Sequence, residues 1–187
     1  VYGQLLIYKK MLQNVVSNIN KNYISKPYNY EGYFKYSRQV DGQEKVKEAT
    51  VTIYDAQGYH REDVASAFKE LNYKFNQVRR NSEVTSVWDG LTYFDDILTA
   101  DIVRNTRNVL DIVNSRDYKL KSKGKLVYEG DSVQVISYQA THPSISTTGD
   151  PAVQTYSGEI YINLKDLAVL KNVVNLTSRD FNGLGRN

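Results

Sequence analysis

The chain of 187 residues contains no cysteine, which excludes disulfides, zinc–thiolate sites and cysteine nucleophiles. It holds only two histidines, His60 and His142, one beside Tyr59 and Arg61 and the other beside Pro143, with no H-E-x-x-H spacing. Loop positions are expected for both. No apolar run approaches the roughly 20 residues that a helix needs to cross a bilayer. Charge of either sign is nearly balanced, 24 Lys and Arg against 21 Asp and Glu, and a net charge of +3 does not by itself point to nucleic acid. G-x-S-x-G, phosphate-loop and dinucleotide fingerprints are missing, and the "GLGR" of the tail opens no helix. Asp95, Asp96 and Asp101 read as capping or solvated acids rather than a metal or general-acid site. Asn175-Leu176-Thr177 fits a glycosylation sequon, a pattern short enough to arise by chance. No catalytic residue, metal ligand or cofactor site is expected.

Tyrosine is what the chain has in excess: 16, against five Phe and one Trp. Its ring packs while its hydroxyl stays wet, which suits sheets with one solvated face. The first clear element is helical. Leu5, Tyr8, Leu12, Val15, Val16 and Ile19 recur at three- and four-residue steps and form one stripe that must cover something apolar. The Asn-rich "NINKN" and Pro27 end this helix. "YNYEGYFKYSRQV" then alternates with period two, so that Tyr28, Tyr30, Phe34 and Tyr36 share a face. Asp41-Gly42 turns the chain into "KVKEATVTIYDA", a hairpin.

In the middle, "YHREDVASAFKELN" fits a short helix or a loop and "YKFNQVRRNS" a strand. "DGLTYFDDILTADIVRNTRNVLDIVNS" has helical spacing, best divided into two helices near Thr99, with Phe94, Leu98, Val103, Val109 and Val113 as core candidates. The last third returns to strands. "DYKLKSKGKLVY" and "SVQVISYQA" flank "EGD" as a hairpin, "THPSISTTGDPAVQT" reads as an exposed loop, and "YSGEIYINLKDLAVLKNV" is a strand, a polar corner and a return strand. The expected architecture is α+β: one domain over residues 1–187, a curved, mostly antiparallel sheet forming a half-barrel, with helices packed in its concave face. Because the sequence opens at Val1 and its one methionine is Met11, an upstream start is expected, and a removed leader stays open.

Four stretches carry a resemblance. "NVVSNINKNYISKPYNYEGYFKYS", "NQVRRNS", "ILTADIVRN" and "YSGEIYINLKDLAVLKNVVN" are similar, in this order, to the region that follows the regulatory β-sandwich in Bacteroidetes-type carboxypeptidase-like regulatory-domain-containing proteins. The similarity runs from about Leu5 to Asn175. It implies a cell-envelope location, periplasmic or outer-membrane-associated, and a fold like the half-barrel lipoprotein carriers. No peptidase activity follows from the family's name. The long "THPSISTTGDPAVQT" segment departs from the family pattern.

Two surfaces emerge as binding candidates. Lys119, Lys121, Lys123 and Lys125 occupy every second position of a strand and are expected on one face, about 6.6 Å apart, where they would hold phosphate or carboxylate groups or simply deter edge pairing. No aromatic residue interleaves with them, which counts against nucleic acid. The face of Tyr28, Tyr30, Phe34 and Tyr36, joined by Tyr138, Tyr156 and Tyr161, would line the hollow and hold an acyl chain or a glycan, or else be core. The expectation is a non-catalytic envelope domain that binds a lipid-like or other hydrophobic ligand. The alternative is a structural module linking the upstream sandwich to an outer-membrane protein.

Overall fold

The computed structural model describes residues 2–40, 42–62, 71–81, 101–111, 114–149 and 152–178. Strand takes 55% of these residues and helix 17%, so sheets carry the architecture. Helix α1 (Tyr2–Ser17) and the one-turn α2 (Ile19–Asn22) lead into strands β1 (Tyr28–Val40), β2 (Gln43–Asp55) and β3 (Leu71–Arg80). Strands β4 (Tyr118–Tyr128) and β5 (Asp131–Ala140), the short helix α3 (Ile145–Thr148), and strands β6 (Val153–Asn163) and β7 (Val169–Ser178) follow. Every pairing among these described strands is antiparallel, as the hairpin signals predict, while an isolated bridge between Glu62 and Asn105 is parallel. The turn at Glu129-Gly130 has positive φ at both residues (51° and 86°), the conformation that closes a two-residue hairpin with matching twist.

One half-barrel does not form. The strands divide into a three-stranded sheet, β1-β2-β3, and a four-stranded sheet, β4-β5-β6-β7, and neither closes into a barrel. The helices do not sit in a shared concave face. The apolar stripe of α1 and α2 lies against the four-stranded sheet: Leu12 and Val15 of α1 and Ile19 of α2 are buried in one cluster with Ile136, Tyr138, Tyr156, Ile160 and Ile162. The alternation of a strand reports which face is buried but not which hairpins share a sheet, and that is where the expectation fails.

A separate cluster, Phe34, Ala49, Val51 and Ile53 with Tyr73 and Phe75, makes the core of the three-stranded sheet. Its other face carries Glu31, Tyr33, Thr52 and Tyr54.

Segment 101–111 packs Ile102, Val103, Val109 and Leu110 into the α1 cluster, so Val103 and Val109 are core as expected. Its conformation is a succession of turns rather than a helix. Asp101, Asn105 and Asn108 accept hydrogen bonds from the backbone amides of Val103, Arg107 and Leu110, two residues on, at 3.0, 2.7 and 2.8 Å. Such local bonds offer the backbone an alternative to the helical ladder. Phe94, Leu98, Thr99, Val113, Asp95 and Asp96 lie outside the described residues. "ISTT" within the expected exposed loop forms α3, closed by Gly149 in the left-handed region.

Candidate functional site

The candidate tyrosine surface assembles in part: Tyr28, Tyr30 and Phe34 share one face of the three-stranded sheet, as their alternation requires, while Tyr138, Tyr156 and Tyr161 lie in the other sheet. Phe34 is core of the three-stranded sheet, while Tyr28 is half-buried and stacks on the more exposed Tyr30 at 5.8 Å between ring centroids. Tyr36 pairs with Lys47 across to β2, and its side chain lies outside what is described. Tyr138 and Tyr156 belong to the core of the other sheet, and Tyr161 faces away from that core. The seven aromatics are therefore spread over two sheets and three faces. The hollow expected to hold a hydrophobic ligand is filled beside the four-stranded sheet by Leu12, Val15 and Ile19.

The lysine set is brought together in part. Lys119 lies opposite Gln139 and Lys121 opposite Ser137, both on the face of the four-stranded sheet turned away from α1. Between Ser122 and Gly124 the register slips by one residue, and Gly124 takes φ 105°, a conformation that glycine adopts without the cost of a Cβ. Beyond the slip Lys125 lies opposite Gln134, so it points to the other face. The expected comb of four is thus three, because a bulge shifts the parity of the strand. The sequence signal for it was the glycine inside a strand pattern, "KSKGK".

The outer face is an open groove of about 770 Å³ lined in part by Lys119, Lys121, Lys123, Gln139, Ser157 and Glu159. Glu159 is its acidic member and is engaged on both oxygens. Lys123 Nζ lies 3.5 Å from Oε1, and the Tyr161 hydroxyl donates to Oε2 at 3.2 Å. That hydrogen bond to the carboxylate raises the phenol of Tyr161 above its usual range. Lys171 Nζ sits over the Tyr161 ring, 5.4 Å from its centroid. Lys119 and Lys121 have no acidic partner among the described residues, so their charge is available to a ligand. Ser137 Oγ donates to the carbonyl of Lys121 at 3.2 Å, tying β5 to the lysine strand. Among the described residues the arrangement offers two ammonium groups without an acidic partner beside hydroxyl and amide side chains, the chemistry of a site for phosphate or carboxylate.

A second polar cluster escaped sequence reasoning. Arg104 is 3% exposed and lies between Asp55, fully buried at the end of β2, and Glu62. Its Nη1 donates to Asp55 Oδ2 at 2.7 Å and its Nε to Glu62 Oε1, while Nη2 is buried without a hydrogen-bond partner among the described residues. Burial works against the charge, but the hydrogen bonds to Asp55 and Glu62 outweigh it and hold Arg104 above its ordinary value. Beside it the Tyr59 hydroxyl donates to both oxygens of Asp101, at 2.8 and 2.7 Å, and the Tyr59 ring stacks on Tyr23 at 4.7 Å. Burial, then the Asp101 charge, raises the Tyr59 phenol far above its usual range. The partners of Arg104 are 49 and 42 residues away in the chain, and no spacing rule connects them.

His60 Nδ1 is 2.7 Å from the carbonyl of Gly58 and its Nε2 is 3.9 Å from Glu62, and the carbonyl of His142 accepts from Thr147 Oγ1 at 3.4 Å. Asp101, besides binding Tyr59, caps the amides of Val103 and Arg104. Among the described residues no group of three or more His, Asp or Glu is placed to hold a metal, and no helix is long and apolar enough to cross a membrane. No protein-family model matches the chain, and no curated protein matches it.

Proposed function

We propose that this chain is a non-catalytic binding domain whose working surface is the outer face of the four-stranded sheet, and that its ligand carries phosphate or carboxylate groups. One observation carries the reading: Lys119 and Lys121 have no acidic partner among the described residues and line an open groove whose acid, Glu159, is already held by Lys123 and Tyr161. A ligand enclosed by apolar side chains is less favoured, since Leu12, Val15 and Ile19 occupy the space beside the sheet. The resemblance to envelope proteins supports a periplasmic or outer-membrane-associated setting, where an anionic lipid headgroup supplies the same chemistry as a soluble anion.

The test has two arms, inorganic polyphosphate followed by calorimetry and co-sedimentation with vesicles of phosphatidylglycerol and phosphatidylcholine. Binding that weakens with salt is expected in at least one. A basic side chain near an anionic surface contributes about 1 kcal/mol, so reversing Lys119 and Lys121 to Glu removes at least about 2 kcal/mol, or roughly thirtyfold in affinity. Binding to vesicles alone identifies a headgroup, and binding to polyphosphate alone a soluble anion. Silence in both arms, or binding that survives the reversal, rejects the proposal.

A second reading, a docking module for an outer-membrane protein, is favoured by the tip of the β4–β5 hairpin. There Leu126, Val127 and Tyr128 are 40%, 73% and 53% exposed on consecutive residues. Val127→Asp with Tyr128→Ser would abolish such docking and leave anion binding intact.

A further inference from the structure

We infer that β7 is a self-pairing edge through which two copies of this chain join their four-stranded sheets into one antiparallel eight-stranded sheet. This rests on edge chemistry and is independent of what the groove binds.

The four-stranded sheet has two edges, β4 and β7, and they are built differently. On β4 lysines stand at 119, 121, 123 and 125, and a bulge interrupts the ladder. Charged side chains and bulges are how proteins block edge-to-edge pairing. If two β4 strands met antiparallel, every central register would set lysine opposite lysine. On β7, "VLKNVVNLTS", there is one lysine, no acid and no proline, and its ladder with β6 slips only near its two ends, at Leu170 and opposite Gln154, so that residues 171–177 run in continuous register. At its start the Tyr23 hydroxyl takes the outer backbone groups of Val169, accepting from N at 3.3 Å and donating to O at 3.4 Å. From Leu170 to Thr177 no described residue closes the outer edge. Among the described residues this leaves a row of amide and carbonyl groups there as a template, with Leu170 and Leu176 exposed on the same strand.

The occupant that this edge fits is itself. Opposed residues of an antiparallel pair direct their backbone groups either both toward the partner or both away from it, so a two-fold axis falls on a residue. With Val174 on the axis, Lys171 faces Thr177, Asn172 faces Leu176, and Val173 faces Asn175. No like charges meet, and Val174 packs on its own copy. Because Val173 and Asn175 also border the groove, the grooves of the two copies would abut across the axis.

Sedimentation equilibrium of the full chain over about 1 to 300 µM, the range of weak specific association, is expected to show a reversible dimer. Val173→Lys with Asn175→Lys sets two pairs of lysines opposite one another and is expected to weaken the dimer at least about tenfold, with circular dichroism unchanged. In this cysteine-free chain Val174→Cys is expected to give a disulfide-linked dimer on mild oxidation, and Val127→Cys at the hairpin tip is not. A monomer at every concentration, or a dimer that the lysine pair leaves unchanged, overturns the inference. Should the lysine variant lose its fold, the cysteine pair decides: crosslinking at 174 supports the edge, and its failure there overturns it.

Discussion

Replacing Arg104 by Met removes the cation from the buried cluster and keeps most of the side-chain volume. Asp55, fully buried, and Glu62, 9% exposed, then stay in the interior without a counter-charge. Asp55 still accepts hydrogen bonds from the amides of Gln57 and Gly58 at 3.1 Å each, while Glu62 keeps only His60 at 3.9 Å among the contacts described. Removing one partner of a buried ion pair costs about 3–5 kcal/mol, a large part of the total stability of a domain. With a urea dependence of about 2 kcal/mol per molar, the midpoint should fall by about 1.5–2.5 M. Adding Asp55→Asn and Glu62→Gln neutralises the stranded acids and should recover part of the loss, because a neutral cluster no longer buries unpaired charge. Urea titrations of the wild type, the single variant and the triple variant, followed by circular dichroism, measure both effects. A midpoint shift below about 0.5 M in the single variant, under about 1 kcal/mol at that slope, would refute the buried triad.

Other outcomes follow from the same packing. A Cβ added at Gly158 would collide with the carbonyl of Val173 and the hydroxyl of Tyr138, which Asn172 holds at 3.0 Å. Gly158→Ala should therefore cost about 1–3 kcal/mol in thermal denaturation, and a neutral result would mean that β6 and β7 can part locally. Burial, followed by the charge of Asp55 and the neighbouring Tyr30, pushes the phenol of Tyr28 up to about 12, and burial also raises Tyr59, Tyr118, Tyr138 and Tyr156. Folded values above the unfolded value of about 10 mean that the unfolded chain loses protons first. Stability should then be level below about pH 10 and fall as pH rises toward 12. Tyrosinate absorbance should show a delayed fraction that appears with the loss of structure, and full ionisation with the fold intact would contradict the burial.

What could be read in advance divides along physical lines. The hairpins were legible because Asp41-Gly42 and Glu129-Gly130 are turn chemistry and the flanking runs alternate strictly. The apolar stripe shared by α1 and α2 was legible in Leu12, Val15 and Ile19, which reach the core as their spacing requires. Partition into two sheets was not legible, because Tyr30 and Tyr156 present the same alternating pattern whichever sheet receives them. Segment 101–111 misled for a local reason: its apolar spacing is helical, but Asp101, Asn105 and Asn108 bind amides two residues on. Of the eight candidate site residues, Lys119, Lys121 and Lys123 share the groove, Lys125 was turned away by one bulged residue, and Phe34 went to the core. Arg104, Asp55 and Glu62 left no local trace, since only the tertiary fold brings them together.

The most direct measurement is a heteronuclear NMR titration of the isotope-labelled chain with inorganic polyphosphate and, separately, with short-chain phosphatidylglycerol. Shifts that saturate and concentrate at Lys119, Lys121, Ser137, Ser157 and Asn175 are predicted for at least one of them, with α1 and the three-stranded sheet unmoved. Saturating shifts confined to Tyr28, Tyr30 and their neighbours, or no shifts with either anion, would contradict the assignment of the outer face as the binding surface.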